Sequence, residues 1–352
     1  MEIKLGNKLV GENQPPYFIA DIAANHDGDL SRAKDLVWIA KEAGADCAKF
    51  QHFLADKIVN DVEFAKIESL KTHQSNWKKS VAKIYDDYHF RREWTEIIYN
   101  ECLKAKIEFS TSPYDYEAVN QVKDYVNFYK IGSGDISWCD FVEFVAEQNK
   151  PIIVATGASH IDDVDRIVKL LHGKDLVLMQ CNTNYTLEQD KHFFTNIKVL
   201  EKYAARYENL VLGLSDHTLT HGSTLGAIAL GARVIEKHFT DDNNREGPDH
   251  KFALNPKSWR EMVEMGNEVF ECLGDGKKKV EKNEKNAFVV QRRSIVCNRK
   301  LPKGHILSKD DLDFLRPCPE KSFHPYEWKS LIGKKLKNDK DSYESILHDD
   351  LC

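Results

Sequence analysis

Eight short apolar runs recur along the first two-thirds of the chain, and no other property restricts its fold so tightly. They span 17–23, 47–51, 107–111, 128–133, 151–157, 176–182, 210–217 and 233–240. Amphipathic segments separate them: 30–43 sets Leu36, Ile39, Ala40 and Ala43 on one helical face, and 162–171 and 223–230 read the same way. Strand followed by helix, repeated eight times, predicts parallel strands joined by crossover helices, and a (β/α)8 TIM barrel rather than an open doubly wound sheet. The interval 54–99 needs more than one helix and an extra loop, a lid or a surface excursion. Residues 2–10 alternate around Leu5-Gly6-Asn7-Lys8-Leu9 and predict a hairpin that closes the barrel's bottom.

Helix 256–273 completes the barrel, and the polar Gly274-Asp275-Gly276-Lys277-Lys278-Lys279 reads as a flexible linker. Beyond it come a strand at 294–296, a turn at Leu301-Pro302-Lys303-Gly304 and a helix start at Ser308. The expected division is a barrel over 1–275, a linker over 276–287 and a small module over 288–352, marginal by itself at that size.

Each run ends in residues of unlike chemistry to its core. The ends carry Asp21, Asn25 and His26; Lys49 and Gln51; Ser110 and Thr111; Lys130 and Ser133; Thr156; Asn182 and Thr183; Ser215 and His217; Glu236 and His238. In a barrel those ends share one rim, where active sites form. Serine and threonine mark strand ends in any protein. Lys49, Lys130 and Glu236 need another reason, because a charge beside a barrel core is costly unless paired or bound. His217 and His238 lie about one strand–helix–strand step apart, which puts two imidazoles on neighbouring parallel strands. Two imidazoles with open positions around them suit a divalent transition metal acting as a Lewis acid. Glu236 precedes His238 by two residues, so both share a strand face.

Bulk properties exclude other classes. A net charge of -6 gives no electrostatic case for nucleic acid or an anionic membrane. The eight cysteines form no CxxC pair and read as reduced thiols of a cytoplasmic protein, with Cys181 as a small core residue. No apolar run approaches the ~18 residues of a membrane span, and the N-terminus carries no apolar signal segment.

Several segments together resemble the sialic acid (N-acetylneuraminate) synthase family and its bacterial nonulosonate relatives. They are Ile19-Ala20-Asp21-Ile22-Ala23-Ala24-Asn25-His26-Asp27-Gly28, Ala43-Gly44-Ala45-Asp46-Cys47-Ala48-Lys49-Phe50-Gln51, Tyr129-Lys130-Ile131-Gly132-Ser133-Gly134-Asp135 and Thr156-Gly157. Gly213-Leu214-Ser215-Asp216-His217-Thr218 and Val234-Ile235-Glu236-Lys237-His238-Phe239-Thr240, running on to Gly247-Pro248-Asp249-His250-Lys251, are the most specific. Arg292-Arg293-Ser294-Ile295-Val296 and 301–316 resemble the family's C-terminal antifreeze-like or SAF domain.

The resemblance implies condensation of phosphoenolpyruvate with the open-chain aldehyde of an N-acylated hexosamine, release of phosphate, and a nine-carbon 2-keto-3-deoxy acid as product. It implies a divalent metal, Mn2+ first, on His217 and His238, polarising the aldehyde. Lys49 and Lys130 are the implied cations for phosphoenolpyruvate, with Thr111, Ser133 and Ser215 as hydroxyl donors. Glu236 is expected either to act as acid/base or to hold a metal-bound water, and Gln51, Asp249 and Asp135 to position sugar hydroxyls or the aldehyde. A swapped homodimer is implied, in which Arg316 of one small domain reaches the other subunit's sugar.

The chain departs from the family at three places. Asp21 replaces the usual glutamate. Ala155 replaces a serine, for which Thr156 would compensate. Asn182-Thr183-Asn184-Tyr185-Thr186 replaces Thr-Asn-x-Tyr-Pro, leaving the polar contact open among Asn182, Thr183 and Asn184. A synthase acting on a phosphorylated sugar, a metal-dependent barrel hydrolase and a non-catalytic carbohydrate-binding protein are the competing readings.

Overall fold

A computed structural model describes residues 1–67, 77, 79–185 and 191–352. They divide into two compact units, Met1–Gly274 and Asp275–Cys352. The first opens with an antiparallel hairpin, β1 (Glu2–Leu5) and β2 (Lys8–Gly11). Gly6 turns it at φ 59, in the left-handed region that favours glycine. Eight parallel strands follow: β3 (Tyr17–Asp21), β4 (Cys47–His52), β5 (Glu108–Pro113), β6 (Tyr129–Ile131), β7 (Ile152–Ala155), β8 (Leu176–Cys181), β9 (Val211–Asp216) and β10 (Val234–His238). Their order is β5-β4-β3-β10-β9-β8-β7-β6. At the seam, Ser110 Oγ on β5 donates to the carbonyl of Phe128, just before β6, at 3.2 Å. This is the (β/α)8 barrel, and each of the eight apolar runs supplies one strand.

Side-chain alternation divides every strand between two cores. Phe18, Ala20, Ala48, Phe50, Phe109, Tyr129, Ile131, Val154 and Leu214 face outward into the helical layer. Tyr17, Ile19, Cys47, Phe128, Ile153, Val177, Met179, Val211 and Val234 face inward. Ile3, Leu5 and Val10 of the hairpin join that inner cluster, so the hairpin plugs the bottom of the ring. The plug leaves the upper half of the interior for polar groups.

The helices lie close to their expected positions. Leu30–Glu42 starts on an Asp29 cap that accepts from Ser31 and Arg32 N–H groups, and Pro256–Cys272 starts on Asn255 with proline in its first turn. The 54–99 interval holds three short described α-helices, Ala55–Ile58, Asp61–Phe64 and Val81–Tyr88, and a 3-10 turn, Arg92–Trp94, before Thr95–Ala105. Among the described residues no helix is long and apolar enough to cross a membrane.

In the second unit, β11 (Ser294–Cys297) pairs antiparallel with β12 (Leu312–Leu315) over a small core that includes Ile295, Leu301, Leu307, Leu336 and Ile346. Helix Lys285–Gln291 begins inside the 276–287 stretch expected as linker.

Leu5 is fully buried in the plug. Leu5→Ala should therefore lower stability by about 2–5 kcal/mol through cavity formation. Chemical denaturation would show this, while the substrate KM values, set at the opposite end of the ring, stay as in the wild type. An unchanged midpoint would contradict the plug.

Candidate active site

Strand register, more than loop conformation, assembles the upper interior. His238 lies opposite Asp21, Asp21 opposite Lys49, and Lys49 opposite Ser110, a row across β10, β3, β4 and β5. Two residues below His238, Glu236 lies opposite Ser215 on β9, and Ser215 opposite Cys181 on β8. All these positions share the inward parity of Tyr17, Cys47 and Val234.

The result is a compact set of charges. Lys49 Nζ is 2.8 Å from Asp21 Oδ2 and 3.7 Å from Glu236 Oε2, and Lys130 Nζ is 3.3 Å from Glu236 Oε1. Ser215 Oγ donates to Glu236 Oε1 at 3.0 Å, and Gln51 Nε2 to Asp21 Oδ2 at 3.4 Å. Lys49, Lys130, Asp21 and Glu236 are 1–5% exposed, as buried as core residues. Apolar residues of similar volume would fill such a space at no greater cost. Four buried charges at one barrel mouth therefore mark a site.

The charges shape one another. Burial raises the Glu236 carboxyl, but Lys130 and Lys49 together hold it well below the ordinary range. Burial also raises Asp21; Lys49 opposes this, Glu236 adds to it, and the balance is upward. Asp21 Oδ1 has no hydrogen-bond partner among the described residues. Asp135 is raised to about 6 by burial against the pull of Lys130. Asp249 is also raised to about 6, by burial, although it accepts from the Ala24 N–H at 3.2 Å.

The imidazoles of His217 and His238 face the same interior, ring centres 5.5 Å apart. His217 Nδ1 lies 2.8 Å from the Asn182 carbonyl, an acceptor, so this nitrogen donates and Nε2 is left as the basic atom. His238 Nδ1 is 4.0 Å from Asp21 Oδ2. A pair of imidazoles with one basic nitrogen oriented in this way fits a borderline divalent ion with open positions. No cluster of three or more His, Cys, Asp or Glu ligands occurs among the described residues.

Above the charges lies a cavity of about 130 Å3 whose wall includes Gln51, Phe53, Tyr114, Tyr185, His238 and Asp249. Helix Val81–Tyr88 adds Ile84, Tyr85 and Tyr88, so the 54–99 interval contributes part of the site's wall. The Tyr185 ring packs at a tilt of about 50° against His217 and Phe252, ring centres 4.3 and 5.0 Å away. On the β6–β8 side, Ser133 Oγ accepts from the Gly157 N–H at 3.0 Å, and Thr183 Oγ1 lies 3.8 Å from Cys181 Sγ. A Cβ on Gly157 would run into Thr183, Ser133 and Cys181, so only glycine lets these chains approach.

Two expected site residues face the other way. Thr111 is paired with outward-facing Phe50, and its hydroxyl meets His52 Nδ1 at 2.8 Å in the helical layer. Ser110 and Ser112 hold the inward positions on β5. Thr156 follows inward-facing Ala155, so it also points out, donating to the Met179 carbonyl at 2.8 Å and accepting from Tyr203 OH at 3.0 Å. It does not compensate for the missing serine. His26 is likewise outside, packed against Phe50, Phe90 and Trp94. Arg316 belongs to the second unit, where it is exposed and donates to Gln291 Oε1 at 2.9 Å. Thr186 lies outside the described residues. Sequence reasoning missed Tyr114, Tyr185, Phe252 and the wall of helix Val81–Tyr88; for Ser112, the parity of Lys49 and Gln51 was the available signal.

A model described as the NeuB family matches residues 36–278, and one described as the SAF domain matches residues 292–351. The chain is 34% identical to an uncharacterised protein of Methanocaldococcus jannaschii, over 99% of this chain and 98% of the relative. It is 33% identical to the N,N'-diacetyllegionaminic acid synthase of Legionella pneumophila, over 94% of this chain and 93% of the relative. The crystal structure of the N-acetylneuraminic acid synthetase of Leptospira borgpetersenii superposes with a TM-score of 0.73 at 25% identity, covering 82% of this chain and 95% of that one. With a charged barrel mouth of this construction and a family match over well more than half its length, the chain belongs to the NeuB family, as a condensing synthase of the sialic acid synthase type with a C-terminal SAF domain.

Proposed function

We propose that the protein condenses phosphoenolpyruvate with the open-chain aldehyde of an N-acylated hexosamine, giving a nine-carbon 2-keto-3-deoxy acid and phosphate. The observation that carries this reading is the buried set of Lys49 and Lys130 held by Asp21 and Glu236 at the same mouth as His217 and His238. A phosphorylated carboxylate needs fixed cations in a dry pocket, and two ammonium groups held in place by carboxylates supply them.

C3 of phosphoenolpyruvate bonds to the aldehyde carbon, and the aldehyde oxygen takes a proton. Water adds at C2, giving one proton to Glu236; the bond from C2 to the phosphate oxygen then breaks, the new C2 hydroxyl passes its proton to the departing phosphate, and the 2-keto group forms. Lys49 and Lys130 hold the phosphate and carboxylate while charge moves between them. Glu236, kept ionised by the two lysines, accepts a proton from the incoming water. Asp21 is ionised and paired with Lys49 in the resting site; once phosphoenolpyruvate draws Lys49 away, burial favours proton uptake, and Oδ1 can pass that proton to the aldehyde oxygen. Gln51 and Asp249 orient the sugar, and the aromatic wall of Phe53, Tyr85, Tyr114 and Tyr185 excludes water. Ser133, Asp135, Asn182, Thr183 and Ser215, at or just beyond the ends of β6, β8 and β9, would supply further polar contacts to the bound substrates.

A divalent ion, Mn2+ first, would be held by His217 and His238 and would supply Lewis-acid polarisation of the aldehyde. The homodimer implied by the resemblance, with Arg316 reaching a partner's sugar, belongs to the same proposal.

The test is phosphate release from phosphoenolpyruvate with Mn2+ and a panel of sugars: N-acetylmannosamine, its 6-phosphate and a 2,4-diacetamido-2,4,6-trideoxyhexose. Release should depend on one of them. Lys130→Met should lower kcat/KM by about a hundredfold or more, and His238→Ala should abolish turnover at any Mn2+ concentration. Release without sugar, or His238→Ala at wild-type rates, would overturn the reading.

Asp135 offers a pH test of a site built at the expense of stability. Its folded value of about 6 lies above its ordinary value, so the fold favours the protonated carboxyl. That group costs nothing at low pH, and stability falls as pH rises from its ordinary range through about 6. Asp135→Asn should raise stability at pH 7.5 by about 3 kcal/mol and leave it nearly unchanged at pH 3.5. Thermal melts at both pH values measure this; an equal gain at both would contradict it.

A further inference from the structure

The connections that leave β3 and β10 are strapped together behind the barrel mouth by charged groups. Asp27 accepts from His250 Nε2 on Oδ1 at 2.8 Å and from Arg245 Nε on Oδ2 at 2.9 Å, with Arg32 Nε at 3.1 Å. Arg32 reaches on to Asp241, its Nη1 donating to Oδ2 at 2.7 Å. The other His250 nitrogen, Nδ1, lies 2.7 Å from Thr240 Oγ1.

Hydroxyl, imidazole and carboxylate in this order have the connectivity of an activated nucleophile. Thr240 and His250 are both 0% exposed, however, and no substrate reaches a hydroxyl so enclosed. The chain therefore holds something in place.

What it holds is the turn Gly247-Pro248-Asp249-His250. A Cβ on Gly247 would come within 2.6 Å of the His250 ring and 3.2 Å of Asp27 Oδ1, so the turn's backbone lies directly on this pair. Pro248 fixes its own φ. Asn243 Nδ2 adds a bond to the His250 carbonyl at 2.8 Å. Asp249, one residue before His250, accepts from the N–H of Ala24, three residues before Asp27, and lines the cavity with Gln51 and His238. The strap and the cavity-lining carboxylate are thus two edges of one four-residue turn.

We propose that Asp27 and His250 are positioning residues that aim the Asp249 carboxylate at the sugar. The inference rests on the reading that Asp249 meets the sugar. Asp27 stands at φ 55, a conformation glycine adopts freely and asparagine tolerates. Asp27→Gly removes the strap's centre without straining the backbone, and Asp27→Asn keeps an oxygen for His250 but loses the charge.

The experiment measures both KM values for wild type, Asp27→Gly, Asp27→Asn and Asp249→Ala, using whichever sugar of the panel is turned over. Losing charge-assisted hydrogen bonds at the strap should raise the sugar KM of Asp27→Gly about tenfold or more, with Asp27→Asn in between. The phosphoenolpyruvate KM should stay within about twofold, because Lys49 and Lys130 are untouched. A merely structural strap would lower the melting temperature and leave the ratio of the two KM values unchanged. That result, with Asp249→Ala still raising the sugar KM, would overturn the positioning role alone. An unchanged sugar KM in Asp249→Ala would overturn the sugar contact itself and this inference with it. Should Asp27→Gly fail to fold, Asp27→Asn carries the same comparison.

Discussion

The contact on which the rest of the site depends is the Glu236 carboxylate lying between two buried ammonium groups, at 3.3 Å from Lys130 and 3.7 Å from Lys49. Removing either lysine would leave a charge stranded in a barrel interior, a loss of several kcal/mol. Removing Glu236 would leave Lys130 without the carboxylate it faces. With Asp21 the four charges sum to zero, which makes them tolerable in the resting enzyme. Yet each ion pair is a bond that an incoming anion can exchange for one of its own. The barrel's construction serves this arrangement: the hairpin fills the lower interior with apolar side chains, so the charged layer sits only at the mouth.

Much of this was legible in the sequence because register and alternation are local rules. Eight apolar runs gave eight strands, and the unusual strand-end residues Lys49, Lys130, Glu236, His217 and His238 do converge on one interior. The failures have the same origin as the successes. On β5 the inward positions are Ser110 and Ser112, and Thr111 between them bonds to His52 in the helical layer. On β7 the inward position is Ala155, and Thr156 turns outward to the Met179 carbonyl. Carrying the parity of Lys49 along its neighbour would have separated these residues; chemistry at strand ends, read without parity, could not. Lys237 makes the same point: it is as deeply buried as Lys49, but it faces outward and pairs with Asp216 at 2.6 Å.

What stayed illegible depends on distance in the chain. The wall supplied by helix Val81–Tyr88 has an ordinary amphipathic sequence, and the way the long β4–β5 connection folds back over the strand ends places Tyr85 beside Phe53 and, with Tyr114, on the cavity wall. The strap between Asp27 and His250 joins residues at opposite ends of the barrel sequence, through side chains that each read as routine surface or turn chemistry. Such contacts follow from β3 and β10 being neighbours, a fact of topology rather than of either segment.

The central claim is that the two lysines are a receptor for an anion, kept neutral by exchangeable carboxylates. Calorimetric titration of phosphoenolpyruvate into the wild type and into Glu236→Gln tests it most directly. The account predicts that the variant, with Lys130 released from its partner, binds phosphoenolpyruvate at least as tightly as the wild type while losing turnover. Tenfold weaker binding in a variant with the wild-type circular dichroism spectrum would contradict it.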